Sequence, residues 1–430
     1  MTRPHALLLY NAKFFAYHTS LYLAGTISQV FSVMLARAGA IPPQTQNRRE
    51  QGQRQGMGLS TEASAETAEL EKLEKFRGLL AGFREKLDRA LADWLETKRG
   101  EAAAAGSPET LELIDGVGQL ATRGGKRLRP ALVYYTYRAC GGESDADVLP
   151  LALATELLHT YLLIHDDIMD HAEIRRGLPA AHVRFREAHR EHGLHGDAAD
   201  FGRSVAILLG DLAQSWAVEL ATLSSTGRGP TARELARGFA AMCQEVIGGQ
   251  YLELLVAQRR TATEEELLRV LRLKSGRYTA ERPIQLGALL AGAPPETLAG
   301  LSRYGAAVGE AFQLQDDLLG MFGDPERVGK PVDADLKEGK FTFLIHHAEG
   351  RATPAQRRVL EAALGNPDAT PEQTAAALRV IAETGARAAV SAMTAERLRA
   401  ARSALAALDL RPDGKLFLAG LIGYLWEREQ

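Results

Sequence analysis

Cysteine is almost missing: the 430 residues contain two, Cys140 and Cys243. That excludes a disulfide framework and any thiolate metal site, and it points to a reducing, cytoplasmic setting. Aromatic residues are scarce at 6%, and alternating apolar and polar runs are absent, so a pleated sheet has too few of the residues it prefers. Charge of one sign is lacking too. The 51 basic residues nearly balance 54 acidic ones, a formal net charge of -3, which gives no general attraction to nucleic acid or to anionic lipid. An anion site must therefore be built locally, and no nucleic-acid partner is expected. No repeat of fixed length occurs, which excludes a solenoid. What remains is a chain with 46% hydrophobic residues, rich in Ala and Leu and long enough for a deep core, and it predicts an all-α fold.

Residues 1–56 differ from the rest. Six basic residues face one acidic residue there, a charge of +5, which leaves 45 basic against 53 acidic, or -8, for residues 57–430. Phe14 to Ala36 is a charge-free run of 23 residues, long enough to span a bilayer, but His18, Thr19, Ser20, Thr26, Ser28, Gln29 and Ser32 dilute it. No stable membrane insertion is expected. Gln44 to Gly56 holds no aliphatic or aromatic residue and reads as a linker, followed directly by Met57. The expectation is an atypical extension, disordered or a mis-assigned start, ahead of one catalytic domain over 57–430.

Within that domain the period is helical. Leu70, Leu73, Phe76, Leu80, Phe83, Leu87, Leu91 and Trp94 recur every three or four residues and draw an apolar stripe down a long helix. The same spacing returns around Leu157, Leu271 and Ile381. Breaks fall at Gly141-Gly142, Gly227 to Pro230, Pro294-Pro295 and Pro325.

Two acidic clusters interrupt this pattern. In His165-Asp166-Asp167-Ile168-Met169-Asp170, Asp166 and Asp170 share one helical face about 6 Å apart, where like charges repel unless a cation bridges them. Mg²⁺, which accepts carboxylate oxygens alongside phosphate, suits such a pair; a solvated acidic helix end is the alternative. Gln313-Leu-Gln315-Asp316-Asp317 is a second pair, with Gln313 on the same face. Cations follow each cluster: Arg175 and Arg176 after the first, Lys330, Lys337 and Lys340 after the second. Surface ion pairs would explain them cheaply. A pyrophosphate would need both groups, because metals bridge its oxygens while fixed cations neutralise the remainder.

The third element is Gly124-Gly125-Lys126-Arg127-Leu128-Arg129-Pro130. Its glycines let the backbone approach an anion, and Lys126 and Arg129 can converge on it if Pro130 lies in the first turn of a helix. His159, two helical turns before Asp166, can point at the same anion, although a core or capping role is the commoner fate of such a histidine.

Together these residues resemble the trans-isoprenyl diphosphate synthase (polyprenyl synthetase) family. The resemblance runs from about Leu70 to the C-terminus on GGKRLRP (124–130), HDDIMDHAEIRRG (165–177), LLGD (208–211), GGQYLEL (248–254), KSGRYTAERPIQLGA (274–288), FQLQDDLLGMFGD (312–324), and GKP with DLKEGK (329–340). It implies a bundle of long antiparallel helices around a central cavity, in a homodimer, that joins isopentenyl diphosphate head-to-tail to an allylic diphosphate. By the same resemblance Asp166, Asp167, Asp170, Asp316 and Asp317 hold about three Mg²⁺. Lys274, Lys330, Lys340 and Arg175 complete an anion cage, while Lys126, Arg129, His159 and Arg176 bind isopentenyl diphosphate. Gln313, Ser275 and the backbone at Lys274 lie where a carbocation is stabilised.

Gly320 stands where some members carry a further acidic residue, which thins the second cluster, with Asp324 as a possible substitute. Tyr161 and Leu162, five and four residues before the first aspartate, are expected to form a chain-length floor roughly 7 Å below the metals. One aromatic at the deeper position resembles synthases that stop at geranylgeranyl diphosphate, with farnesyl diphosphate or a longer product as the alternatives. A terpene cyclase would have no use for the basic turn, a non-catalytic subunit would have lost a metal carboxylate or an anion lysine, and an EF-hand would need spaced ligands that are absent.

Overall fold

A computed structural model describes residues 48–224, 232–323 and 334–427, with side chains over 69–224, 233–323 and 334–427. Two compact units divide the chain, residues 1–65 and 66–430. In the first, the described backbone is helical from Arg48 on. Residues 48–56, read from their composition as part of a linker, are helical; Arg, Gln and Glu are good helix formers and need no apolar neighbour to be helical. The run from Phe14 to Ala36 and the expected extra start lie outside the described residues, as do Lys330, Asp324 and the breaks at Gly227 to Pro230 and at Pro325.

Helix α1 (Arg48–Ala104) begins within residues 1–65; in the second unit its remainder, α2 (Pro108–Thr122), α3 (Leu128–Ala139) and α4 (Asp145–Met169) lead into a two-residue hairpin pairing Ile174–Arg175 with Leu178–Pro179. Next come α5 (Ala181–Glu191), α6 (Ala198–Leu223), α7 (Ala232–Arg259) and α8 (Glu264–Val270). A π-helical stretch, Leu271–Glu281, runs straight into α9 (Arg282–Leu290) and is followed by α10 (Pro295–Phe322). A short turn, α11 (Ala334–Lys337), precedes α12 (Phe343–Arg351), α13 (Pro354–Ala363), α14 (Pro371–Glu383), α15 (Ala386–Ala406) and α16 (Pro412–Glu427). The fold is all-α, as the composition implies.

Periodicity predicts the core well. Leu73, Phe76, Phe83, Leu87 and Leu91 of α1 are buried, and only the first residue of the stripe, Leu70, stands in solvent. Gly141 and Gly142 end α3, and Pro294-Pro295 opens α10, as their backbone preferences require. The helix that matters most for function, α4, starts where Ser144 accepts a hydrogen bond from the Asp147 N–H, with Asp145 and Asp147 in its first turn. Such a cap contributes about 1 kcal/mol. Beyond it, Val148 to Leu158 are buried almost without interruption, against α6 and α3, which pins the helix and leaves its C-terminal turns for the acidic cluster.

The π-helix has no counterpart in the periodicity. It packs between α7 and α10, and Gly249 of α7 makes the approach possible: a methyl carbon there would lie 2.2 Å from the Lys274 nitrogen. A wider helix rotates its side chains out of the 3.6-residue register, and such stretches gather at functional sites. Both α4 and α6 are long and apolar enough to cross a bilayer, but 61% and 44% of their apolar windows are buried within the protein.

Candidate active site

A cavity of about 330 Å³ opens between α3, α4, α7 and the π-helix. Its wall carries Arg129, His159, Tyr161, Leu162, Asp166, Lys274 and Ser275, seven of the residues singled out in the sequence. Most of the rest is apolar, including Leu163, Met169, Val246, Ile247 and Leu254. Such a lining suits a hydrocarbon tail and offers water few partners.

At the Asp166 end of the cavity two lysines join the first acidic cluster to the carboxylates beside the second. Asp166 Oδ1 lies 3.8 Å from the Lys274 ammonium and accepts a hydrogen bond from Gln250 at 3.4 Å. Asp170, which caps α4, lies 3.3 Å from Lys340, whose ammonium also reaches Asp335 at 3.4 Å and Glu338 at 2.7 Å. Burial pulls the Lys340 ammonium down, but Asp335, Asp170 and Glu338 together hold its pKa well above the ordinary lysine value. Lys274, also pulled down by burial, is raised by Glu253 and Asp166. On α10, Gln313 donates to Asp317 at 2.7 Å, which confirms the shared face. Enclosure by protein, with Asp335, Asp316 and Glu253 nearby, pushes the Asp317 carboxyl up to about 8 against the pull of that hydrogen bond. A carboxyl raised this far holds its proton near neutral pH unless a cation comes beside it.

Not every candidate arrives there. Asp167 is 1% exposed, held by Arg175, whose Nε donates to it at 2.7 Å. One step along an α-helix turns a side chain by about 100°, so Asp167 leaves the face of Asp166 and Asp170. Arg175 is thereby fixed 3.8 Å from Asp166 as well. Lys126 does not converge with Arg129; it is exposed, 5.8 Å from the centre of the Tyr424 ring. Arg127 adopts a left-handed φ of 52°, which separates the two side chains. Arg176 donates to the carbonyl of Gly124 at 2.8 Å. Gly124 and Gly125 both have positive φ, 73° and 116°, the conformation their lack of a side chain permits.

Three participants escaped the sequence reading. Glu253 pairs with Lys274; it lies inside GGQYLEL, where a single carboxylate carries no pattern. Tyr278, buried on the π-helix, meets His159 Nδ1 at 2.7 Å and lies 4.4 Å under the Arg129 guanidinium. Asp335 places an oxygen 2.4 Å from where a side-chain carbon at Gly320 would stand, so the thinned second cluster has a carboxylate against its gap. His159 is held well below its ordinary value, first by burial and then by Arg129, Arg176 and Arg175, so it is neutral here.

Among the described residues no three His, Cys, Asp or Glu side chains converge into a ready metal group. The donor set still fits Mg²⁺, which keeps several waters and needs only one or two carboxylates beside substrate phosphates. The lysines and Arg175 meanwhile occupy the spaces between the carboxylates.

Residues 112–381 match the model of the polyprenyl synthetase family. A short chain isoprenyl diphosphate synthase of Methanothermobacter thermautotrophicus is 33% identical over 341 residues, 79% of this chain and 97% of that one. A geranylgeranyl diphosphate synthase of Methanosarcina mazei is 34% identical over 74% of this chain and 90% of its own length. Among solved structures, a Corynebacterium glutamicum geranylgeranyl pyrophosphate synthase complexed with isoprenyl diphosphate and magnesium is similar with a TM-score of 0.75 and 32% identity, covering 80% of this chain and 98% of that one. The helical fold is thus that of the isoprenyl diphosphate synthase structures, and the chain belongs to the polyprenyl synthetase family. It is a prenyltransferase.

Proposed function

We propose that this enzyme joins isopentenyl diphosphate head-to-tail to an allylic diphosphate and stops at geranylgeranyl diphosphate. One observation carries the reading: a mostly apolar cavity has Asp166, with Lys274 beside it, and also Arg129 and His159 on its wall; Asp170, Asp316 and Asp317 would complete the acidic end. A cyclase, with one diphosphate to bind, needs only the acidic end.

Asp166, Asp170, Asp316 and Asp317 would hold Mg²⁺, about three ions, which stabilise negative charge growing on a departing pyrophosphate. Lys274, Lys340 and Arg175 add fixed positive charge around the same leaving group, as does Lys330 by resemblance. Asp167 contributes by fixing Arg175. Arg129, with a buried Nε that has no hydrogen-bond partner, presents donors to the second diphosphate beside neutral His159, with Lys126 and Arg176 at the rim. Ser275 and Gln313 place a hydroxyl and an amide oxygen where positive charge develops. The apolar wall keeps water from that charge. The proton lost from the isopentenyl unit has no strong base on the wall, and the departing pyrophosphate is its natural acceptor.

Tyr161 and Leu162 both line the cavity, with Tyr161 edge-on to His165 at 4.7 Å. That contact holds the ring in the path of a growing chain. A homodimer suits the exposed apolar residues on α6 (Leu208, Val218 and Leu223), and the working location is the cytoplasm. The test is incubation of the full chain with labelled isopentenyl diphosphate, Mg²⁺ and, separately, dimethylallyl, geranyl and farnesyl diphosphates, followed by sizing of the dephosphorylated alcohols. A twenty-carbon product supports the reading. Cyclic hydrocarbons, or no incorporation, overturn it.

A further inference from the structure

We propose that Arg127 and Glu156 form a buried positioning pair that sets the basic turn for isopentenyl diphosphate without touching it. The inference rests on the two-diphosphate reading of the cavity. Arg127 belongs to the GGKR turn, yet its side chain is wholly enclosed and every arm is engaged inside the protein. Nη1 pairs with Glu156 of α4, itself 3% exposed. Nη2 donates at 2.7 Å to the carbonyl of Ala121 in α2 and lies 2.9 Å from Asp88 of α1, to which Nε also donates at 3.1 Å. Each of its three nitrogens is thus engaged within the protein, and Arg127 is absent from the cavity wall.

The pair nevertheless reaches the wall on both sides. Glu156 lies one helical turn before His159, which meets Tyr278, and Tyr278 stacks under Arg129, two residues after Arg127. Arg129 is tied again to Thr279 at 2.9 Å. A closed ring thus runs from the turn through α4 and the π-helix back to the turn. Arg127 holds its left-handed φ of 52° because three elements grip its planar head, and such backbone persists only where surroundings over-determine it. Lysine has no fork to serve three acceptors at once. With the grip released, residue 127 relaxes toward negative φ and Arg129 loses its register against His159.

The decisive experiment pairs Arg127→Met with the double variant Arg127→Met/Glu156→Leu in steady-state assays that vary each substrate, with thermal melting alongside. Replacing a buried ion pair by apolar residues of similar volume commonly restores stability lost on removing one partner. A stability role alone predicts that KM recovers with melting temperature. Positioning predicts that KM for isopentenyl diphosphate stays raised about tenfold in the stable double variant, while KM for the allylic diphosphate stays within about twofold of wild type. Equal change in both KM values, or recovery with stability, overturns the proposal. If the double variant does not accumulate, Arg127→Lys decides on the same KM split. Wild-type enzyme assayed in parallel separates the two claims, because absence of prenyl transfer there sinks the two-diphosphate reading instead.

Discussion

Acidic mouth and basic turn treat charge in opposite ways. Around Asp166, Asp170 and Asp317 the carboxylates crowd one another, the cations stand mostly 3 Å or more away, and one carboxyl is driven up to about 8. Around Arg127 the charges are enclosed, paired and saturated with hydrogen bonds. An enclosed carboxyl is costly to ionise, so a cation bound at the mouth, as proposed, would take the place of the proton that Asp317 otherwise keeps. The saturated region offers no such place and acts by holding its neighbours still.

The contrast breaks first at the mouth. Asp166→Ala removes the first carboxylate of the leading cluster, and turnover, measured as labelled isopentenyl units entering product, should fall by about 10³-fold or more. Retained activity would place the metals elsewhere. Lys340→Met removes a cation set among Asp170, Asp335 and Glu338, and kcat should drop by about 10²-fold. A rise in KM for isopentenyl diphosphate alone would put that lysine at the wrong end. Tyr161→Ala leaves both charged ends intact and opens the apolar wall, so rates change little while products lengthen by at least one five-carbon unit. An unchanged product ladder would refute the floor.

The smallest effect is on pH dependence. His159 has its folded pKa lowered by burial and by the arginines around it, so the unfolded chain binds a proton that the folded one refuses. Its contribution to stability is therefore present above the unfolded value, near 6.5, and lost as pH falls below it. In His159→Gln the fall in melting temperature between pH 7 and pH 5 should be shallower than in wild type; an identical slope would mean that His159 is protonated when folded.

Much of this was legible before the structure. The stripe from Leu73 to Leu91, the break at Gly141-Gly142 and the shared face of Gln313 and Asp317 follow from helical period and backbone preference, which act locally. Asp166 and Asp170 were legible for the same reason. Glu253, Asp335 and Tyr278 were not, because their meaning depends on elements packed from distant parts of the chain. The π-helix was hidden because tertiary packing against Gly249, not the local pattern, sets its pitch. Lys126 misled for a local reason that spacing does not encode, the left-handed backbone at Arg127.

A double-mutant cycle on Mg²⁺-dependent pyrophosphate binding, read by calorimetry, asks most directly whether the two acidic clusters act as one site. Asp166→Asn and Asp317→Asn should each remove most of the Mg²⁺-dependent affinity, with the pair little worse than either alone. Losses that simply add would mean two independent sites and contradict the account.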